Sequence, residues 1–153
     1  QTLVQYHELY PKSVICRYAK SIVWDSNMTI KSSLKWSRIY KTKFGGQDIF
    51  LGTGGGTLFP MPGTSLYRDT LNIALACDLC PLEDDLWLNT MIRLQNTEIV
   101  VVKNYKGILP VLNTRDVMLY SSNGGENNLT DSQLRNTILY YERNGLNPFK
   151  QFN

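Results

Sequence analysis

Three consecutive carboxylates, Glu83, Asp84 and Asp85, stand at the start of a strongly apolar segment. A carboxylate held at the mouth of a buried helix can act as a general base when its surroundings position it and tune its pKa. The acids also have a purely structural explanation, because acidic side chains in a first helical turn complement the positive end of the helix dipole. The spacing leaves both interpretations open, and crowding of the like charges is expected to raise at least one pKa.

A glycine cluster precedes these acids along the chain and runs from Gly52 to Gly56, with Thr53 inside it. Glycine permits positive φ angles and lets a ligand or another chain approach the backbone closely. Gly54, Gly55 and Gly56 are therefore candidates to line a phosphate or sugar site, and a tight turn is the alternative. The cluster lacks the Lys-Ser/Thr ending of a P-loop and does not fit the dinucleotide-binding pattern.

Length and charge indicate one domain, or a piece of a larger one, with no nucleic-acid partner. The 153 residues suffice for a sizeable core. The net charge is +3, and the basic residues are scattered apart from one group, namely Lys31, Lys35, Arg38, Lys41 and Lys43. Such a group usually forms a solvated face or loop, and contact with an anion is the alternative. Nucleic-acid binding would need a clearer basic stripe. The sequence shows no apolar run of membrane-spanning length and no secretory signal.

The cysteines, Cys16, Cys77 and Cys80, are odd in number, and His7 is the single histidine. This composition argues against a secreted disulfide framework and favours a reducing compartment. The spacing of Cys77 and Cys80 is that of half a zinc site or of a redox pair, but four metal ligands are not easily gathered. We interpret both as small core residues, and a redox pair is the alternative.

Hydrophobic periodicity predicts an α/β fold with a few strands of mixed direction and three or four flanking helices. The predicted helices cover residues 3–10, 64–76 and 83–95, followed by a last helix after a capping box at residues 130–133. The predicted strands lie within residues 13–24, 48–52 and 98–103. Residues 26–47 show no clear period and are predicted to form a long irregular connection.

The order of glycine loop, helix, acidic cluster, helix and apolar strand resembles the acceptor half of a GT-A-fold glycosyltransferase. The similarity is greatest to a bacterial family-2-like group that builds surface polysaccharides. Residues 55–60, Gly-Gly-Thr-Leu-Phe-Pro, are similar to the Gly-Gly-x-Leu-Tyr/Phe-Pro loop of that group. Residues 80–87, Cys-Pro-Leu-Glu-Asp-Asp-Leu-Trp, are similar to its Cys-Pro-x-x-Asp-Asp-x-Trp stretch. Residues 117–127 resemble a later segment of the family.

The resemblance implies an inverting transfer of a sugar from a nucleotide-sugar donor to a hydroxyl of a glycan or lipid-linked acceptor. It implies that Asp85 is the catalytic base and Asp84 its catalytic partner. Glu83 and Trp87 are implied to lie beside the substrate, together with the glycines at 54–56, although Trp87 also fits a core position. A positioned carboxylate base typically contributes about 10²–10⁴-fold in rate.

One departure from the family concerns the donor site. The Asp-x-Asp motif that positions the donor diphosphate and a divalent metal, Mg or Mn, is absent from this sequence. We therefore expect residues 1–153 to be the C-terminal part of a catalytic domain, without its nucleotide-binding half and inactive alone. No metal ligand is assigned to any residue here, and no cofactor is expected in this fragment itself.

The resemblance further implies a bacterial, cytoplasmic protein. It also allows peripheral association with the inner face of the membrane. Apolar surface that the missing half would cover favours self-association. The alternative function is a non-catalytic carbohydrate-binding or scaffold module. That module would use aromatic side chains on a loop surface, namely Trp24, Trp36, Tyr40 and Tyr67.

Overall fold

The computed structural model describes residues 2–60, 66–103 and 128–150. Its strands are β1 (Val14–Cys16), β2 (Ala19–Ser21), β3 (Ser37–Arg38), β4 (Lys43–Gly45), β5 (Ile49–Leu51), β6 (Thr57–Leu58) and β7 (Ile99–Val101). Its α-helices are α1 (Leu3–Leu9), α2 (Ile73–Leu79), α3 (Asp84–Leu94) and α4 (Leu129–Arg143). Short 3-10 helices occupy Ser33–Lys35, Thr53–Gly55 and Arg68–Leu71. The predicted α/β class is confirmed.

Two small sheets organise the described residues. The first has the order β4-β7-β1-β6, in which β1 runs parallel to β7 and antiparallel to β6, with Ile15 opposite Val100. The second is antiparallel and has the order β3-β2-β5. All residues of β1, β5 and β7 are buried, as continuous apolar runs predict for strands covered on both faces.

Helix α3 lies at the centre of the packing. Leu86 and Met91 are fully buried in a cluster that also includes residues of α4, whereas Ile92 packs into a second cluster with both sheets. The other face of the first sheet is covered by α1, through Leu3 and Tyr6. The first turn of α3 is therefore held at a fixed place relative to the end of β5.

The predicted helix at 64–76 is wrong in its extent. A 3-10 helix occupies Arg68–Leu71, and α2 begins only at Ile73, because the Asn72 side chain caps it by accepting a hydrogen bond from the Leu75 N–H. Residues 64 and 65 lie outside the described residues. The prediction that residues 26–47 are irregular also needs correction, since they contain β3 and β4 as well as the 3-10 helix Ser33–Lys35.

The predicted capping box at 130–133 does not cap the last helix. Helix α4 begins one residue earlier, after Asn128 in a left-handed conformation, and no side-chain bond caps it. Thr130 instead donates its hydroxyl to Glu83, and Gln133 accepts from the N–H of Leu82. Both side chains of the motif therefore bond residues at the start of α3 and do not cap α4. The resemblance at residues 117–127 lies outside the described residues.

Candidate active site

The end of β5 and the first turns of α3 are joined by one buried side chain. Asn89 accepts a hydrogen bond from the Leu51 N–H at 3.0 Å and donates to the Leu51 carbonyl at 2.8 Å. Its amide nitrogen also donates to the carbonyl of Asp85 at 2.7 Å. Because Asn89 replaces a missing strand neighbour at Leu51, the glycine cluster that follows is held against the acidic start of the helix.

Asp85 contacts this glycine cluster directly. Its Oδ1 accepts hydrogen bonds from both the N–H and the hydroxyl of Thr53, at 2.7 and 2.6 Å. Its Oδ2 lies 3.4 Å from the position that a Cβ on Gly52 would occupy. One carboxylate oxygen is therefore fixed by the protein, and the other faces the backbone of Gly52. The structure thus brings together the two sequence features that most suggested chemistry.

Burial raises the pKa of Asp85 above its ordinary value. The two hydrogen bonds from Thr53 oppose this rise, the nearby charge of Asp84 adds to it, and the positive charge of Lys20 reduces it. The expected increase in pKa is therefore present, but desolvation is its main cause and the crowding of like charges is secondary. A carboxylate with these properties is a stronger base than an exposed one.

The two other acids have different surroundings. Glu83 accepts the Thr130 hydroxyl at 2.5 Å, and its pKa is raised chiefly by burial and secondarily by Asp85 and Asp84. Asp84 is exposed and accepts no hydrogen bond from the described residues. Asp84 and Asp85 both lie in the first turn of α3, so the helix-dipole explanation applies to each of them. Only Asp85 combines partial burial with contact to the glycines.

Gly54, Gly55 and Gly56 differ in their local surroundings. A Cβ on Gly55 would lie 2.3 Å from the Cβ of Tyr18, so this position must be glycine for Tyr18 to approach. Gly56 has a φ of 95°, which disfavours any side chain. A Cβ on Gly54 would meet nothing within 4 Å. Gly55 and Gly56 thus shape the turn, and Gly54 is the exposed member of the three candidates.

Three further residues adjoin this site: Tyr18 and Lys20, which the sequence did not single out, and Arg38, which belongs to the basic group at 31–43. The Tyr18 ring lies against Gly52, where a Cβ would come within 2.5 Å of its Cδ1. The guanidinium of Arg38 stacks over that ring, with 4.9 Å from Cζ to the ring centroid. Tyr18 and Lys20 are two residues apart, the spacing that places two side chains on the same face of an extended segment. This spacing is the sequence signal that could have pointed to them. Arg38 could not be placed without recognising β3.

The aromatic candidates do not form one surface. Trp87 is buried in the core, and its Nε1 donates to the Thr70 carbonyl, so its ring has no open face for a sugar. Trp36 is also buried and packs on Phe50. Trp24 and Tyr67 are partly buried against the same core cluster. Tyr40 alone of the candidates is exposed.

The acids do not fit a divalent metal ion. One oxygen each of Glu83 and Asp85 already accepts a threonine hydroxyl, and Asp84 is exposed to solvent. Within the part of the chain that the structure describes, no group of three or more His, Cys, Asp or Glu side chains could hold a metal. The Mg or Mn ion that the resemblance implies therefore has no ligand set among the described residues.

Comparison of the chain with family models, with curated proteins and with solved structures gives no match in any of the three. The described residues also contain no helix long and apolar enough to cross a membrane.

Proposed function

We propose that this chain supplies the acceptor site and the general base of an inverting glycosyltransferase. The donor is a nucleotide sugar, and the acceptor is a glycan or lipid-linked glycan in the synthesis of surface polysaccharide. The single observation that carries the proposal is the state of Asp85. This half-buried carboxylate has a raised pKa, is fixed by Thr53, and lies against a glycine turn at the start of a helix.

In the proposed reaction, Asp85 accepts the proton of the acceptor hydroxyl while that oxygen attacks the anomeric carbon of the donor. The new glycosidic C–O bond forms as the bond from the anomeric carbon to the phosphate oxygen breaks. The nucleoside diphosphate leaves with the bonding electron pair. Oδ2 is the oxygen available for the proton, because both hydrogen bonds from Thr53 go to Oδ1.

The remaining acids support this role without sharing it. Glu83 is tied to Thr130 on α4, which anchors the residue just before α3 to the core. Asp84, although the resemblance makes it the partner of the base, reaches Asp85 only as a nearby negative charge that adds to its raised pKa. Like charge stabilises the protonated form of Asp85 and so favours proton uptake.

The resemblance also leads us to propose that the donor diphosphate and its metal are bound outside the residues described here. We also propose that the protein is cytoplasmic and acts at the inner face of a membrane. The aromatic module remains the competing function, and it makes a different prediction. A binding module would retain glycan affinity when Asp85 is changed.

The test is sugar transfer by the complete gene product, measured with a panel of radiolabelled nucleotide sugars. Asp85→Asn keeps the size of the side chain and its ability to accept from Thr53, but it cannot take up the proton. We expect this variant to lose about 10²–10⁴-fold in kcat while remaining folded. Asp84→Asn, the exposed neighbour, is the matched control and should change kcat by less than about tenfold. Transfer at the wild-type rate by Asp85→Asn would exclude Asp85 as the base.

A further inference from the structure

The face of the second sheet that turns toward α3 carries two cations side by side. Lys20 on β2 stands opposite Arg38 on β3 and opposite Phe50 on β5. Residues directly opposite each other in an antiparallel pair point to the same face. The charge of Lys20 acts on Asp85. The Tyr18 ring, over which Arg38 stacks, lies beside Gly52 as Asp85 does, so both cations are near Asp85.

Arg38 is held in a fixed orientation by two aromatic rings. Its Cζ lies 4.9 Å from the ring centroid of Tyr18 and 5.1 Å from that of Tyr40. Its Nε and Nη2 are shielded from solvent and have no hydrogen-bond partner among the residues that the structure describes. Stacking on aromatic rings offsets part of the desolvation of a guanidinium, but it supplies no acceptor for those N–H groups.

An anionic ligand would complete this arrangement. A planar guanidinium matches phosphate and carboxylate groups bidentately, and desolvation makes such contacts stronger. Tyr40 is 55% exposed, so the guanidinium of Arg38 stacks on a ring that lies at the protein surface. Tyr18, by contrast, is wedged against Gly52 and Gly55 and keeps its place.

Lys20 supplies the second positive charge. Burial raises the pKa of both Glu83 and Asp85, and the charge of Lys20 counteracts part of that increase. Within the described residues no ion pair or hydrogen bond joins Lys20 to either acid. Its ammonium group is therefore close enough to act on the acids and still available to a ligand.

The anion site adjoins the proposed base. The Tyr18 ring and the Oδ2 of Asp85 both lie within 3.4 Å of the Cβ position of Gly52. Arg38 stacks on that same Tyr18 ring. A ligand whose oxyanion binds Arg38 and Lys20 would therefore reach past Tyr18 with a neighbouring hydroxyl to Asp85.

We infer that Arg38 and Lys20 bind the anionic group, a phosphate or a carboxylate, of the acceptor whose hydroxyl Asp85 deprotonates. This inference rests on the proposed function and narrows its acceptor to an acidic glycan or a phosphate-bearing one. The carboxylate would belong to a uronic acid, and the phosphate to a sugar phosphate or to the head of a lipid-linked glycan.

The first arm of the test is binding to the purified chain, measured by NMR titration of the Arg38 Nε–Hε signal with inorganic phosphate, glucuronate and glucose. We expect phosphate or glucuronate to shift this signal and neutral glucose to leave it unmoved. Arg38→Gln and Lys20→Gln should each weaken anion binding by about 10- to 100-fold. Binding to these variants is measured from the backbone signals of Gly52 and Thr53. The anion that binds more tightly identifies the acidic group of the acceptor.

Two controls separate this site from general surface charge. Arg68 is exposed, and its Cζ lies 5.4 Å from the ring centroid of the partly buried Tyr67. Arg68→Gln should therefore bind the anion as the wild type does. Asp85→Asn should also retain anion binding. Wild-type affinity in both Arg38→Gln and Lys20→Gln, or a folded wild-type chain that binds neither anion, would overturn the inference. Lys20→Gln serves alone if Arg38→Gln does not fold.

The second arm uses the complete gene product and separates the two proposals. Arg38→Gln should raise KM for an acidic acceptor by about 10- to 100-fold while KM for the donor stays unchanged. A raised donor KM with an unchanged acceptor KM would overturn the assignment to the acceptor and would leave Asp85 as the base. Wild-type transfer by Asp85→Asn would instead refute the proposed function, even where anion binding depends on Arg38.

Discussion

Thr53 donates two hydrogen bonds to a single carboxylate oxygen of Asp85, from its backbone N–H at 2.7 Å and from its hydroxyl at 2.6 Å. Burial of Asp85 raises its pKa, and these two bonds partly reverse the increase because they favour the ionised form. The hydroxyl is the donor that a substitution of similar shape can remove. Thr53 is therefore a positioning residue that sets both the orientation and the basicity of Asp85.

Replacement of Thr53 by valine should raise the pKa of Asp85 further. The variant keeps the backbone donor and the branched shape but loses the hydroxyl, so the ionised carboxylate loses one hydrogen bond. The pKa can be followed by NMR of the labelled Asp85 carboxyl carbon, independently of any activity. Thr53→Ser retains the hydroxyl and should titrate as the wild type does. In transfer assays, the acid limb of the kcat/KM profile should move to higher pH in Thr53→Val alone.

The raised pKa values of Glu83 and Asp85 also predict how stability depends on pH. Between the ordinary carboxyl pKa of about 4 and the raised folded values, the folded state holds protons that the unfolded state has released. The free energy of unfolding should therefore fall as pH rises through this window. Asp85→Asn removes one of the titrating groups, so the decline should become shallower, as measured by urea denaturation at a series of pH values.

Asp131 provides a control of opposite sign. Burial tends to raise its pKa, but hydrogen bonds from Ser33, Ser32 and Asn128 outweigh that effect and lower it. Its contribution to stability is therefore present above the unfolded pKa of about 4 and is lost as pH falls below that value. Asp131→Asn should flatten the acid side of the stability profile and leave the slope at higher pH as in the wild type. Equal slopes in wild type and Asp85→Asn above pH of about 4 would contradict the assignment to Asp85.

The sequence predicted the elements whose signals are local. Helix α3 was recognisable from its apolar face and acidic first turn, and β1, β5 and β7 from continuous apolar runs. The glycines and the acids were noticed separately, but nothing in the spacing indicated that Thr53 bonds Asp85. That contact depends on Asn89 joining α3 to Leu51, which is a tertiary arrangement.

The parts that escaped prediction depend on contacts between distant segments. Arg38 lies on a two-residue strand that, within the described part of the chain, pairs with β2 alone, so no periodic pattern marks it. Thr130 and Gln133 have the form of a capping box, but side-chain bonds to Glu83 and Leu82 take them away from that role. Such competition between local and tertiary hydrogen bonds is decided by packing, which the local sequence does not encode.

Gly55 should tolerate alanine much less well than Gly54. A Cβ at position 55 would lie 2.3 Å from the Cβ of Tyr18 and 3.2 Å from its backbone nitrogen, so the backbone itself must shift. Overpacking of this kind costs about 1–3 kcal/mol. Gly54→Ala is the matched control, because a Cβ there meets nothing within 4 Å, and its effect should stay within about 0.5 kcal/mol. Thermal or urea unfolding of both variants measures the two losses of stability. Equal stabilities would refute the close approach of Tyr18.

Asn89 should be among the most sensitive buried polar positions. Asn89→Leu would leave both the N–H and the carbonyl of Leu51 without their partner, at about 1–3 kcal/mol for each unsatisfied group. The control is Thr90→Val, which removes only a hydroxyl bond to the Leu86 carbonyl within the same helix and should cost about 1 kcal/mol or less. Hydrogen exchange at the Leu51 amide gives a second readout, since its protection should fall in Asn89→Leu and persist in Thr90→Val.

The cysteines should differ sharply in reactivity. Cys77 is exposed, contrary to the prediction that it is a core residue, whereas Cys16 and Cys80 are buried as free thiols. Burial raises the pKa of Cys16 to about 12, and chiefly burial raises that of Cys80 to about 11. A thiol reagent near neutral pH should therefore label Cys77 quickly and the other two only after denaturation.

The Cys77→Ser variant should lose the fast labelling phase and keep the slow one. Cys80→Ser should retain fast labelling and keep a slow phase that comes from Cys16 alone, which makes the two variants controls for each other. A redox pair would require a thiol of low pKa, but the Cys80 thiol lies in the core and hydrogen-bonds the Thr137 hydroxyl at 3.3 Å. Fast labelling of Cys80 in the native protein would contradict this placement and would return the Cys77–Cys80 pair to consideration as a redox site.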